Sequence, residues 1–181
     1  MTKAYPVSSG GRNIACGLEF EAGVSDRVYR QGELSAIAGS LYFYGYKGDQ
    51  VQPFIGLKLV VRDRDAAGTS LTPNAPAQIS IFGKDGKSLA SGYYGGGDGE
   101  TPGSKLASFA FDQNFQSVMA SISEDDRLEV AFNRKQGGTD VRIPIDLSVS
   151  EDGQPGHKGE TAVRFLQCLR DLTRELQAKL K

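Results

Sequence analysis

Apolar side chains recur at every second position over much of this sequence, and a side-chain period of two belongs to strands with one buried and one open face. Ile14, Cys16, Leu18 and Phe20 set the pattern. In the run from Ser35 to Tyr46, Ile37, Leu41 and Phe43 share one face, while Tyr42, Tyr44 and Tyr46 are expected together on the other. Ile55, Leu57, Leu59 and Val61 then alternate with Gly56, Lys58 and Val60. Leu128, Val130 and Phe132 are joined to Val141, Ile143, Ile145, Leu147 and Val149 across Gln136-Gly137-Gly138, which predicts a hairpin. Pro144 has no N–H for a ladder and falls on the outward side of its strand, so that strand is expected at an edge or with a bulge.

Where the alternation stops, turn chemistry replaces it. Residues 62 to 77 hold Asp63, Asp65, Gly68, Pro73, Asn74 and Pro76, and the chain is expected to leave the sheet there. Ile79 and Ile81 begin a strand that should turn at Lys84-Asp85-Gly86-Lys87 and return through Leu89 to Tyr94. Gly92 to Gly103 is glycine-rich without any aliphatic residue, and is expected to be a mobile surface loop. After an alternating stretch from Leu106 to Phe111, the period changes. Phe115, Val118, Met119 and Ile122 are spaced for a short helix capped by Asp112. Val163, Leu166, Leu169, Leu172, Leu176 and Leu180, broadened by Phe165 and Cys168, form the stripe of a long amphipathic helix over 160–180.

The expected fold is therefore mainly β: an antiparallel sandwich or barrel-like domain with one short helix and a long C-terminal helix packed on it. With 181 residues the chain suits one domain, read as 13–181 behind a flexible polar segment 1–12, and folding removes about 70% of its surface from water. No stretch is long and apolar enough to be a membrane-spanning helix.

Lys and Arg total 21 against 22 Asp and Glu, so no strong field of either sign exists and nucleic acid is not an expected partner. Catalytic motifs are scarce. His157, the single histidine, lies in a Gly/Pro-containing connector, and Gly95-Gly96-Gly97-Asp98-Gly99 neither follows a long buried strand nor opens a helix, as a nucleotide loop would. Asp63 with Asp65, Asp98 with Glu100, and the run Glu124-Asp125-Asp126 are the carboxylate groups available for acid–base work on carbohydrate. All sit in expected turns. No cofactor is expected; if any metal binds, calcium at Asp98 and Glu100 is the first candidate, because oxygen ligands on a flexible loop suit it.

Tyrosine is the more informative residue type. Tyr42, Tyr44 and Tyr46 on one strand face, with Tyr93 and Tyr94 before the glycine-rich segment, offer large area with polar tips, as recognition surfaces do. The same strand face could instead roof a second core beneath the C-terminal helix.

Cys16 and Cys168 are the only cysteines, and both should point inward. They are either two buried thiols or a disulfide clamping the first strand to the last helix, which would imply export to an oxidising compartment.

From Phe115 to Leu172 the order is a short helix with Phe115 and Met119, a Gly-Gly hairpin, and a helix containing Ala162-Val163-x-Phe165-Leu166-x-Cys168. This resembles the C-terminal half of small exported bacterial β-sandwich proteins of the invasion-associated locus B group and the periplasmic accessory proteins of type VI secretion. It covers about a third of the chain, and the tryptophan-containing opening of the first group is missing. The resemblance implies a non-enzymatic periplasmic domain with a helix-to-sheet disulfide. The function expected from the sequence is a periplasmic or secreted binding module for a protein or other envelope macromolecule, through the tyrosine strand or the glycine-rich segment. A carbohydrate-active enzyme or a structural secretion component, pairing through a sheet edge, is the alternative.

Overall fold

The computed structural model describes residues 1–47, 50–89, 93–149, 154 and 159–179, apart from the Tyr94 side chain. His157, Leu180 and Lys181 lie outside them. Among the described residues ten strands form two antiparallel sheets, with two helices. The large sheet comprises β1 (Thr2–Ser9), β2 (Arg12–Asp26), β3 (Glu33–Lys47), β4 (Gln50–Arg64), β8 (Ser104–Ala110) and β7 (Tyr93–Asp98) in that order, with β5 (Leu71–Pro73) paired to the end of β4. The small sheet runs β10 (Val141–Asp146), β9 (Arg127–Asn133), β6 (Gln78–Phe82). Helix α1 is Asn114–Asp125 and helix α2 is Glu160–Lys179.

The core lies between the sheets, where the alternation placed it. Phe20, Leu41, Ile55, Leu57 and Phe109 of the large sheet meet Ile81, Val130, Phe132 and Ile143 of the small one, joined by Phe115 and Phe165 from the helices. The sheets pack face to face and do not close into a barrel. The β9–β10 hairpin is as expected, with Val141 opposite Phe132 and Ile145 opposite Leu128, and Pro144 stands on an edge strand. Asp112 does cap α1, one residue further out: its carboxylate accepts the Asn114 N–H at 2.8 Å and its carbonyl the Phe115 N–H at 3.1 Å.

Cys16 and Cys168 form a disulfide across 152 residues. It fixes which face of α2 turns inward. Ala162, Phe165, Leu172 and Leu176 are buried with Cys168 and Leu169 packed beside them, whereas Val163, expected in the stripe, is 63% exposed. The seam is therefore rotated toward Phe165 and Cys168.

Three expectations need correction. Residues 1–12 are not a loose lead-in: Thr2 to Ser9 pair with β2, Lys3 opposite Glu19 and Tyr5 opposite Gly17. The Lys84–Lys87 turn forms, with the Gly83 N–H on the Lys87 carbonyl at 2.9 Å, but among the described residues the returning chain makes a single bridge to the small sheet, Ser88 with Phe82. It then crosses to the other sheet. There the glycine-rich segment, expected to be a loop, supplies β7, because backbone pairing to β8 needs no side chains.

Candidate functional site

Alternation along β1 to β4 gives the large sheet a second, outer face. Among the described residues no helix and no further sheet packs on it, since α1, α2 and the small sheet all lie on the Cys16 side. The tyrosines of β3 therefore do not roof a second core under α2. Tyr42 and Tyr44 point outward, as expected. Tyr46 does not: the register shifts between Tyr44 and Tyr46, which turns the Tyr46 ring into the core at 8% exposure. Arg12 and Lys179 lie 5.1 and 5.2 Å from the centre of that ring, so it anchors β2 and α2 rather than facing solvent.

Two other rings take the place of Tyr46 in the outer strip. Tyr5, from β1, meets Tyr42 edge to face with centroids 6.5 Å apart; Tyr42 lies 5.6 Å from Tyr44; and Tyr44 stacks on Phe54 of β4 at 4.6 Å. The strip thus crosses four strands. Glycines make it possible. A Cβ on Gly17 would come within 2.9 Å of the Tyr5 ring and 3.0 Å of Tyr42, and one on Gly56 within 3.1 Å of Tyr44, so bare backbone lets the rings settle against the sheet. Neither Tyr5 nor Phe54 stood out in the sequence, Tyr5 because its segment looked flexible and Phe54 because Pro53 hides the start of its alternating run.

The hydroxyls are also organised. Tyr5 donates to the Glu19 carboxylate at 2.7 Å, so the 2.9 Å contact between the Tyr5 and Tyr42 hydroxyls has Tyr42 donating. Burial, then the bonds to Tyr42 and Glu19, push the Tyr5 hydroxyl well above its ordinary pKa; burial and the neighbouring Tyr42 raise Tyr44. Both stay neutral at physiological pH. Beside the strip lie two shallow dips, one of about 480 Å³ reaching Lys3, Glu21, Ser40 and Lys58, and one of about 440 Å³ at Gln52, Phe54 and Ser108.

Tyr93 is elsewhere. It lies opposite Phe109 on β7, at the rim of a groove between the sheets, and is 52% exposed. Tyr94 belongs to the same strand.

Several of the carboxylates have structural work. Asp26, fully buried, accepts the Val28 and Tyr29 N–H groups and the Arg134 Nε at 2.9 Å. Arg134 also donates to Asp63 at 2.7 Å and to Ser35 at 3.2 Å. This cluster bolts the loop after β9 to the ends of β2, β3 and β4. Burial alone would raise the Asp63 carboxyl, but hydrogen bonds from Asn74, Ser35 and Arg134 outweigh it and hold it below its usual range. Asp65 binds Thr69 and Ser70 within its turn, and Glu124 and Asp125 share Lys84. Asp98 pairs with Lys105 at 3.0 Å, and Glu100 is exposed in the turn beyond it. Among the described residues no three Asp, Glu, His or Cys side chains converge as a metal site would require.

The chain matches no protein-family model, no curated protein and no solved structure.

Proposed function

We propose that this protein is a non-catalytic exported binding module that recognises another macromolecule through the outer face of its large sheet. The observation that carries this reading is the Tyr5–Tyr42–Tyr44–Phe54 strip on a sheet face that, among the described residues, no other layer covers. Aromatic rings held against one another present area at low entropic cost, and their neutral hydroxyls can donate and accept at the rim. Export is supported by the Cys16–Cys168 disulfide, because such bonds persist in oxidising compartments. Of the acidic side chains considered for carbohydrate chemistry, Asp63, Asp65, Asp98, Glu124 and Asp125 are bonded into turns and ion pairs, which favours binding over acid–base work.

The test has two parts. In cells that make the protein natively, it should fractionate with the periplasm or medium and show no alkylatable thiol without reductant; a cytosolic protein with two free thiols would refute export. In pull-downs from the native envelope fraction, a partner retained by the wild type should be lost with Tyr42→Ser/Tyr44→Ser, while the melting transition stays cooperative. Retention of the same partner by the folded double variant would refute the assignment of the face.

A further inference from the structure

Among the described residues five strands end their sheets: β1, β7 and the short β5 in the large one, β10 and β6 in the small. An open edge invites pairing with another chain, and edges are normally blunted by proline, charge or cover. Four of these are. β1 carries Lys3 and Pro6 and donates the Thr2 N–H to the Val149 carbonyl; β5 is three residues long and ends in Pro73; β10 carries Pro144; β6 is bridged at Phe82 by Ser88. The remaining edge is β7, whose central Gly95-Gly96-Gly97 carries no side chain and whose one charge, Asp98 at the end, is paired with Lys105 of β8.

Sterics explain only the middle glycine. A Cβ on Gly96 would sit 2.2 Å from the Leu106 carbonyl oxygen, but at Gly95 and Gly97 a Cβ would meet nothing within 4 Å, and neither has a positive φ. Glycine inside a strand is destabilising, and where nothing local requires it, it leaves room for something else to approach. That room exists on both sides. Toward the small sheet lies a groove of about 660 Å³ whose walls include Tyr93, Gly96, Ala107, Phe109 and Ile79. On the outer face, Gly95 borders the dip of about 440 Å³ at Phe54 and Ser108.

We infer that β7 is an acceptor edge, completed when a partner protein supplies an extended segment that adds to it as a further antiparallel or parallel strand. The Gly99 N–H bonds to the Ser104 carbonyl at 3.2 Å, and ladder alternation from there turns the Gly95 and Gly97 amides toward β8, leaving those of Gly96 and Asp98 facing outward to be paired. Alternate side chains of the added strand would drop into the inner groove and the outer dip. The occupant is therefore a segment with aromatic or β-branched residues at every second position, since cross-strand side-chain pairs stabilise sheets and large rings compensate for edge glycines. A second copy of this chain fits poorly, because β7 against β7 would set glycine against glycine. This edge meets the aromatic strip only at Phe54, which lines the outer dip, and its backbone pairing does not rest on the role proposed for Tyr5, Tyr42 and Tyr44.

The probe is a synthetic ten-residue peptide alternating tyrosine and threonine, with terminal lysines for solubility, added to the full oxidised protein. With peptide at about ten times its dissociation constant, hydrogen exchange at the Gly96 and Asp98 amides should slow by about tenfold. A peptide N-methylated at the alternate amides that face β7 should give no protection. Gly95→Lys/Gly97→Lys, built into open space, should abolish protection, whereas Tyr42→Ser should leave it intact. The inference is overturned if no protection appears at millimolar peptide, if neither register of N-methylation weakens it, or if the folded lysine variant still binds. A wild-type dimer in sedimentation that the lysine variant dissociates would overturn the choice of occupant.

Discussion

Along β3, Ile37, Leu41 and Phe43 enter a core closed by a second sheet and two helices, while the intervening, half-buried Ala38, Tyr42 and Tyr44 stand on a face that no helix or further sheet covers among the described residues. The same backbone thus supports two surfaces with different rules. The inner one is held by burial, a cross-link and a buried ion cluster; the outer one holds its rings by contact with each other and with bare glycine. Removing a group from the first should cost stability, and removing one from the second should cost mainly recognition.

The sharpest way to break that contrast is to cut the inner anchor. Cys16→Ala with Cys168→Ala frees a 152-residue loop, for which chain entropy gives a loss of about 5 kcal/mol in urea denaturation. A loss below about 1 kcal/mol would mean that α2 is held by its apolar seam alone. Next comes Arg134→Met, which strands the buried Asp26 carboxylate and should cost about 4 kcal/mol. The same cluster sets a pH response. Asp63 releases its proton more readily folded than unfolded, so its contribution is complete above about pH 4, the usual aspartate value, and disappears as pH falls through its lower native value. Stability measured from about pH 5 to pH 2 should fall in wild type and fall less in Arg134→Met. The smallest effect belongs outside. Tyr44→Ser removes a stacked ring, for which about 1 kcal/mol is expected with an unchanged denaturant slope. A loss of 3 kcal/mol or more, the scale of a core aromatic, would erase the distinction between the faces.

What the sequence disclosed follows the same division. Elements whose side chains carry a period were legible: β3, β4, the β9–β10 hairpin, α1 and α2 all announce themselves by which residues repeat. β7 was not, because three consecutive glycines have no side-chain period and its pairing is purely backbone. β1 was missed for a related reason: polar residues and Pro6 disguise a strand whose partner is supplied by β2. At the candidate site, Tyr42 and Tyr44 could be read from alternation, but a shift of register beyond Tyr44 cannot, and it sends Tyr46 inward. Tyr5 and Phe54 join the strip only through pairing between strands. The Arg134 cluster gathers residues from four separate stretches of chain, and no local spacing signals that.

The disulfide also determines how this domain would bear tension. A pull entering before Cys16 and leaving after Cys168 runs through the two sulfur atoms, and the stretch of chain between them carries no load. Only β1 could be peeled away, one ladder bond at a time, together with the final turns of α2. The remaining strands and both apolar layers would act as a passenger on a covalent shunt, keeping their shape at forces set by the cross-link rather than by the fold.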